Sequence, residues 1–262
     1  MSSEIPFGDD SPLPRVDVVI LTWNDAQLLR TAIDSVLLSQ GVDARVIVVD
    51  NASWPAAEPP DDRRLHLVHN ETNRGVAAGR NRGVACTSAP IICLLDSDAR
   101  LAPDCLRNLV DVLDEDAAIG LAGPVFTDQV PEASAGLAPT FGRKVSRVAS
   151  FTGTYAPSQR GAAPAWWPVD FCIGACQCFR RSAYDSIDGI DESFFYGPED
   201  ADFCMRLRLR GWRIVQVAAA RCEHPPRRHS RRLFTRRGAR HALAVVRFLA
   251  RHSRFRARAG QP

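Results

Sequence analysis

Apolar positions fall into short blocks along the first hundred residues. Residues 16–21 (VDVVIL) are β-branched and almost wholly apolar, the pattern of a strand covered on both faces in a parallel sheet. Thr22, Trp23 and Asn24 close that block. Asp25 can cap a helix to about Ser39, where Leu28, Leu29, Ala32, Ile33, Val36 and Leu37 recur at helical spacing. Residues 45–49 (RVIVV) make a second buried strand, residues 65–68 a third, and 91–95 (IICLL) a fourth, with a helix over 75–84. Strand and helix thus alternate four times, which predicts a doubly wound α/β sheet with ligands at the carboxyl ends of its strands.

The pattern changes after Pro124. Residues 131–165 are rich in Ala, Gly, Ser, Thr and Pro, as in a long surface segment. Residues 169–179 read as a mixed strand, 199–210 as a helix stopped by Gly211, and 212–217 as a strand. A last amphipathic helix is expected over 232–256. Arg240, Arg247, Arg251, Arg254 and Arg258 share one face there, with Ala242, Val245, Val246 and Leu249 opposite.

Composition narrows the class. The 262 residues, 45% hydrophobic and 24% charged, suit one α/β domain with an elaborated second half. No apolar run approaches the ~18–20 residues that cross a bilayer. The first 16 residues hold three acids and no apolar stretch, so no secretory signal is expected. Most of the eight cysteines sit in apolar segments, which points to a reduced, cytoplasmic chain. The spacing of Cys172, Cys176 and Cys178 lacks a second ligand pair, which favours core packing over zinc. Charge is uneven: from Arg221 onward there are 13 arginines and one acid, a net of +12, which leaves the first 220 residues at −9. Such a tail meets something anionic or folds back on its own domain.

Candidate chemistry lies in three acidic clusters. Asp50 ends the second strand, Asp96 and Asp98 follow the fourth, and Glu199, Asp200 and Asp202 open a helix. In a parallel sheet the first two clusters share a rim, so Asp50 is expected to approach the Asp96/Asp98 pair across a cleft. Two carboxylates one residue apart can hold a hard divalent cation bearing a diphosphate. The same aspartates would equally solvate a turn and cap a helix. The acids at 199–202 would equally stabilise a helix N-terminus, and Asp202 stands four residues before Arg206, at ion-pair spacing. His224 follows the strand 212–217 by a short loop, which would bring it to the rim.

The chain resembles the family-2 glycosyltransferases of the GT-A fold, especially their rhamnosyltransferase-like branch. The resemblance is carried by VDVVILTWN (16–24), VIVVDNAS (46–53), NETNRGVAAGRNRG (70–83), LLDSD (94–98) and GIDESFFYGPEDADFCMRLRLRGWRI (189–214), then a histidine in ARCEH (220–224). It implies an α/β, Rossmann-like, mostly parallel sheet with helices on both faces, here followed by a C-terminal amphipathic helix. The GT-A domain would span 1–230, its nucleotide-binding half about 14–123 and its acceptor-binding half about 124–230, with a basic tail at 231–262.

By the same resemblance Thr22, Asn24, Asp50 and Asn51 would line the base and ribose pocket. Asn73, Arg74, Gly79 and Asn81 would form the helix edge beside the donor, the glycine letting backbone approach the ligand, with Ser97 also on the donor side. Asp96 and Asp98 match the family's metal motif, Asp98 the more direct ligand and Asp96 nearer the ribose, and His224 would complete the site around Mn²⁺ or Mg²⁺. Asp200 would be the catalytic base, with Glu199 as a supporting or alternative carboxylate. The implied activity is inverting, metal-dependent transfer from a nucleoside-diphosphate sugar, dTDP- or UDP-linked, to an acceptor hydroxyl. Two departures stand out: Gly197-Pro198 precedes the Glu-Asp pair where an aromatic or apolar residue is usual, and EHPPRRHS follows where the family is glycine-rich.

On the acceptor side Trp166, Trp167, Asp170 and Phe171, then Gly174 and Ala175, lead into the strand expected to face the cleft. Aromatic faces stack on sugar rings, though two tryptophans equally plug a core. Residues 131–165 would close over donor and acceptor to exclude water. The acceptor would be a carbohydrate or a lipid-linked sugar, with the basic tail lying on an anionic membrane at its inner face or packed on the domain. A homodimer is one option for the assembly. A sugar nucleotidyltransferase would need a glycine-rich phosphate loop near the first strand, which is missing; acids at strand ends would repel nucleic acid. A GT-A scaffold without catalysis is the remaining alternative.

Overall fold

The computed structural model describes residues 12–128, 134–136, 165–225 and 236–252, with side chains from 243 onward in the last stretch. Six strands run the same way: β1 (Arg15–Thr22), β2 (Asp43–Asp50), β3 (Leu65–His69), β4 (Ile91–Asp96), β6 (Ile119–Phe126) and β11 (Arg213–Glu223). β10 (Cys176–Arg180) is inserted antiparallel between β4 and β6. β5 (Arg100–Leu101) and β8 (Trp166–Pro168) pair antiparallel with β11. The order is β3-β2-β1-β4-β10-β6-β11-β5, and β7 (Ala135–Gly136) pairs separately with β9 (Phe171–Cys172). The chain winds outward from β1 to β3 and then returns to place β4 on the other side of β1. That reversal is the switch point at which a crevice opens beyond the carboxyl ends.

Near-continuous burial of β1, β2 and β4 follows from their β-branched runs, because both faces are covered. On one face α1 (Ala26–Leu37) and α3 (Cys105–Glu115) share a core with Val18, Ile20 and Val46. On the other, α2 (Val76–Val84), α4 (Arg181–Asp185) and α5 (Glu199–Leu209) pack with Val19, Ile47 and Val49. Phe248 of α6 (Arg236–Arg251) joins this second core. The five cysteines 93, 105, 176, 178 and 222 lie buried in the first core and Cys172 and Cys204 in the second. All eight are free thiols.

Three expectations change. No helix separates β2 from β3, so strict alternation fails there. The strand expected over 169–179 is interrupted at 173–175. β11 continues to Glu223 through a register shift between Gln216 and Arg221, so His224 follows the strand directly. The tail helix is seen over Arg236–Arg251, and it lies on its own domain. Most of the 131–165 segment, and the ends of the tail, fall outside the described residues.

α2 meets the sheet closely. A Cβ on Gly83 would stand 2.3 Å from Val19 Cγ1 and 2.9 Å from Val49 Cγ2, and one on Gly79 2.5 Å from Leu21 Cδ1. Gly79 therefore serves helix–sheet contact. Gly83→Ala should lower stability despite its gain of ~1 kcal/mol in helix propensity, because overpacking costs ~1–3 kcal/mol. Urea denaturation checks this; a variant as stable as the parent would mean that α2 does not press on β1 and β2.

Candidate active site at the carboxyl rim

Four loops meet at the rim. Asn24 leaves β1 at φ 56°, a left-handed turn that asparagine tolerates. Its Oδ1 accepts the Trp54 backbone N–H at 2.7 Å, and its own N–H donates to Ser53 Oγ at 2.9 Å, so the loops after β1 and β2 are clasped together. Thr22 beside it is buried, and its hydroxyl lacks a partner.

Asp50 shares this rim but does not reach the Asp96/Asp98 pair as expected. Its carboxylate accepts the N–H groups of Ser53 and Ala57 at 2.9 Å each and faces His69 Nδ1 at 3.3 Å. Burial would raise its pKa, but these hydrogen bonds outweigh burial and hold it below the usual value. Asn51 is likewise engaged within the chain. Its Nδ2 donates to Asn73 Oδ1 and Gly75 O, while its Oδ1 accepts from Asn70 Nδ2 and the Arg74 N–H. Asn51 and Asn73 thus frame the 70–75 loop. Arg74 pairs with Glu192 at the surface, 3.5 Å away. The Asn81 amide bonds to Tyr184, Ile190 and Glu192, which ties α2 to the 184–192 loop.

The acids that do converge are those of β4 and α5, together with the histidine after β11. Asp96, Asp98 and His224 each present a ligand atom within 4.8 Å of the others. His224 Nε2 stands 3.5 Å from Asp98 Oδ1, its backbone N–H donates to Asp128, and its ring lies 5.3 Å from that of Phe126. Burial lowers the His224 pKa, but the Asp98 hydrogen bond and the charges of Asp96, Asp98 and Asp128 raise it overall. Two carboxylates and one imidazole fit a small divalent cation, and the nitrogen donor suits Mn²⁺ better than Mg²⁺. Ser97 lies half-buried in the turn between the two aspartates.

Arg80 links this cluster to α5, and the sequence reading did not single it out. It is 3% exposed. Its Nη2 donates to Asp96 Oδ1 and to Gly174 O, both at 2.7 Å, and its Nη1 lies 3.6 Å from Glu199 Oε1. Across the same junction the Gly174 N–H donates to Asp200 Oδ2 at 3.1 Å, and the Asp96 N–H donates to Ala175 O at 2.9 Å. A Cβ on Gly174 would stand 2.7 Å from Arg80 Nη1 and 3.1 Å from Asp200 Cβ, so a side chain there would displace the guanidinium. Asp200 is half-buried, whereas Glu199 is buried and its Oε2 lacks a partner. The available signal was an arginine in a run of Gly and Ala, on a helix face that small residues bring against the sheet.

The expected acceptor platform is placed differently. Trp166 and Trp167 pair with Val217 and Gln216 of β11, on the far side of the register shift from His224. They pack against the two cores, with the Arg213 guanidinium 5.7 Å over the Trp166 ring. Asp170 is buried in an ion pair with Arg208. Of this group Gly174 and Ala175 adjoin the acids. The tyrosine in the loop before α5, Tyr196, was also missed. Burial and the charges of Glu199, Asp96, Asp200 and Asp98 raise its pKa.

A mixed, mostly parallel sheet with helices on both faces, carrying an acidic cluster at its switch point, is the GT-A glycosyltransferase fold. In agreement, a mannosyltransferase from Pyrobaculum calidifontis, solved with GDP-Man and Mn²⁺, superposes with a TM-score of 0.63 at 22% identity, over 95% of this chain and 66% of that one. GalNAc-T7, solved with UDP, GalNAc and Mn²⁺, gives the same TM-score at 15% identity, over 83% of this chain and 45% of that one.

The chain belongs to glycosyl transferase family 2, whose model matches residues 17–188. It is similar to an N-acetylglucosaminyl-diphospho-decaprenol L-rhamnosyltransferase of Mycobacterium tuberculosis, 26% identical over 79% of this chain and 75% of that protein. It is also similar to the pre-mycofactocin glycosyltransferase of the same species, 30% identical over 81% of this chain and 43% of that protein. The succinoglycan biosynthesis protein ExoO of Rhizobium meliloti is 36% identical over 39% of this chain, a stretch that is 30% of its own length. No helix among the described residues is long and apolar enough to cross a membrane.

Glu199 gives the site a pH signature. Burial and the Asp200 charge push its carboxyl from 4.5 up to about 7, against the opposing pull of Arg80. Between those values the folded protein binds more protons than the unfolded chain. Stability therefore falls as pH rises from about 4.5 to about 7, then levels off. Glu199→Gln should flatten that decline. Urea midpoints at about pH 5 and pH 7.5 measure it, and equal differences in parent and variant would remove the perturbed carboxyl.

Proposed function

We propose that the protein transfers a sugar from a nucleoside-diphosphate sugar to an acceptor hydroxyl with inversion at the anomeric carbon. The observation that carries the proposal is the junction at Arg80 and Gly174: Arg80 bonds to Asp96 of the Asp96–Asp98–His224 cluster and to the Gly174 carbonyl and lies beside Glu199, and the Gly174 N–H donates to Asp200.

Asp98, Asp96 and His224 would hold Mn²⁺ or Mg²⁺. When bound, the cation offsets the negative charge gathered by the leaving diphosphate. Arg80 keeps one oxygen of Asp96 turned inward. Thr22 and the clasped loops of Asn24 and Trp54 form the wall for the base and ribose. Asp200, the more exposed of the acid pair, takes the proton of the attacking hydroxyl as the new glycosidic bond forms. The Gly174 N–H fixes the Asp200 carboxylate from one side. Glu199 stands behind it, its carboxyl pushed up to about 7 by burial and the Asp200 charge. One base opposite the leaving group gives direct displacement and inversion.

The likeness to a decaprenol-linked rhamnosyltransferase supports a deoxyhexose or hexose donor and a lipid-linked or polysaccharide acceptor. The exposed Leu243 and Val246 of α6, on an arginine-rich helix, support peripheral contact with an anionic membrane.

A thermal-shift panel of nucleotide sugars with Mn²⁺ or Mg²⁺ should find a stabilising donor, and turnover with sugar acceptors should follow. Asp200→Asn should lose about a thousandfold in kcat, within the usual span of a single proton-transfer group, with donor affinity nearly unchanged. Asp98→Ala should lose the metal-dependent part of the thermal shift. Near parental turnover in Asp200→Asn would remove that residue from the role.

A further inference from the structure

The first turn of α5 presents Asp200 to the rim, while Asp202, two residues on and so nearly opposite Asp200 on the helix, is fully buried. Its Oδ2 accepts from Arg206 Nε of the same helix at 2.8 Å. Its Oδ1 is met from α6, by Arg251 Nη1 at 3.1 Å and His252 Nε2 at 2.8 Å. Burial raises the Asp202 pKa, but the His252 and Arg206 hydrogen bonds and the arginine charges hold it below the usual value. Asp202 is therefore the acceptor, and His252 Nε2 carries the proton.

The same end of α6 grips the loop that leads into α5. Arg251 pairs with Asp191 and lies 5.7 Å over the Phe194 ring, and Arg247 donates to Ser193 O at 3.2 Å. Phe248 is 1% exposed among the residues of the second core, Phe194 and Phe203 included. Arg206 ties this loop to α5 from below, through the Ile187 and Gly189 carbonyls. The next residue, Phe195, accepts the Val76 N–H at the head of α2, at 2.7 Å. The last turn of α6 thus sits over the joint between the helix of Arg80 and the helix of Asp200.

We propose that Arg251 and His252 are positioning residues for the active site: through Asp202 and Asp191 they fix the first turn of α5, and with it the Glu199–Asp200 pair, against Gly174 and Arg80. The clamp stands on geometry alone, whereas its bearing on catalysis rests on the proton-transfer role given above to Glu199 and Asp200. The basic helix then belongs to the catalytic unit through its inner face.

Hydrogen–deuterium exchange on the full chain tests the clamp. In the double variant Arg251→Ala/His252→Ala, amides 189–195 and 199–204 should exchange about tenfold faster or more, with those of α1 and α3 unchanged. His252→Gln, whose amide can donate in place of Nε2, should restore most of the protection. Unchanged exchange over 199–204 overturns the clamp. So does an equal rise in every helix, which would make the two residues general stabilisers only. Calorimetry with Mn²⁺ and UDP or dTDP as probes should give the double variant parental affinity, because the metal ligands sit on β4 and after β11. A tenfold loss of that affinity overturns a role confined to α5. With a turned-over donor in hand, the loss should fall on kcat and not on donor KM; a loss in KM alone overturns the positioning role. If the parent fails to bind either probe while the exchange pattern holds, the clamp is supported and the proposed function is the part that falls.

Discussion

The buried Arg80 guanidinium is the constraint on which the site depends. It reaches from α2 to the end of β4, to the backbone before β10 and to the start of α5. Buried ion pairs rarely add much net stability, because desolvation offsets the attraction. Removing one member is a different matter, since an unpaired buried charge costs about 3–5 kcal/mol. Arg80 accordingly contributes placement more than stability. It fixes where Asp96 and Glu199 stand relative to each other, so the spacing between the Asp96–Asp98–His224 cluster and the Glu199–Asp200 pair is set by one rigid fork. Gly174 completes the arrangement, because any side chain there would fall on both Arg80 and Asp200.

The fold explains why these groups can meet. β1 and β4 are neighbours, although four elements (α1, β2, β3 and α2) lie between them in sequence, so the turn after β4 opens beside the loops of β1 and β2. α2 lies low on β1 because Gly79 and Gly83 remove the side chains that would hold it off. Only at that depth can an arginine on α2 reach the strand-end aspartate. Insertion of β10 against β4 then brings residues 173–175 to the same point. Packing depth and polar geometry are therefore one feature: the small residues of 76–84 serve the arginine among them.

Much of this architecture was legible in the residues. The β-branched runs of β1, β2 and β4 admit little other than buried parallel strands, and aspartates at their ends lie on one rim by topology. The Asp96–Asp98 pair and His224 do come together. What sequence could not supply was side-chain direction. Asp50 was placed at the correct rim but turns into its own loop, where the N–H groups of Ser53 and Ala57 hold its carboxylate. β11 was read too short because 218–221 (AAAR) lacks β-branched residues and passes through a register shift. The two tryptophans were open between sugar platform and packing; strand pairing with 216–217 decides their place. Arg80 escaped notice because its partners are 16 to 119 residues away, and no local pattern encodes such a meeting.

The tail poses the same problem in charge. A strongly basic segment after an acidic domain says that the two attract, without saying where. In the structure, part of the attraction is spent at one point: Asp202 and Asp191 receive Arg251, and Asp202 also receives His252. Asp202 and Asp200 are two residues apart on one helix, hence nearly opposite in direction. One turn of α5 therefore couples the tail's inner face to the rim. A contact that shifted α6, whether a bilayer or another surface drawn to its arginines, would act on Asp202 first. It would reach Asp200 only through that turn, because among the described residues the remaining bonds of α6 go to Asp191 and Ser193 rather than to Asp96 or Asp98.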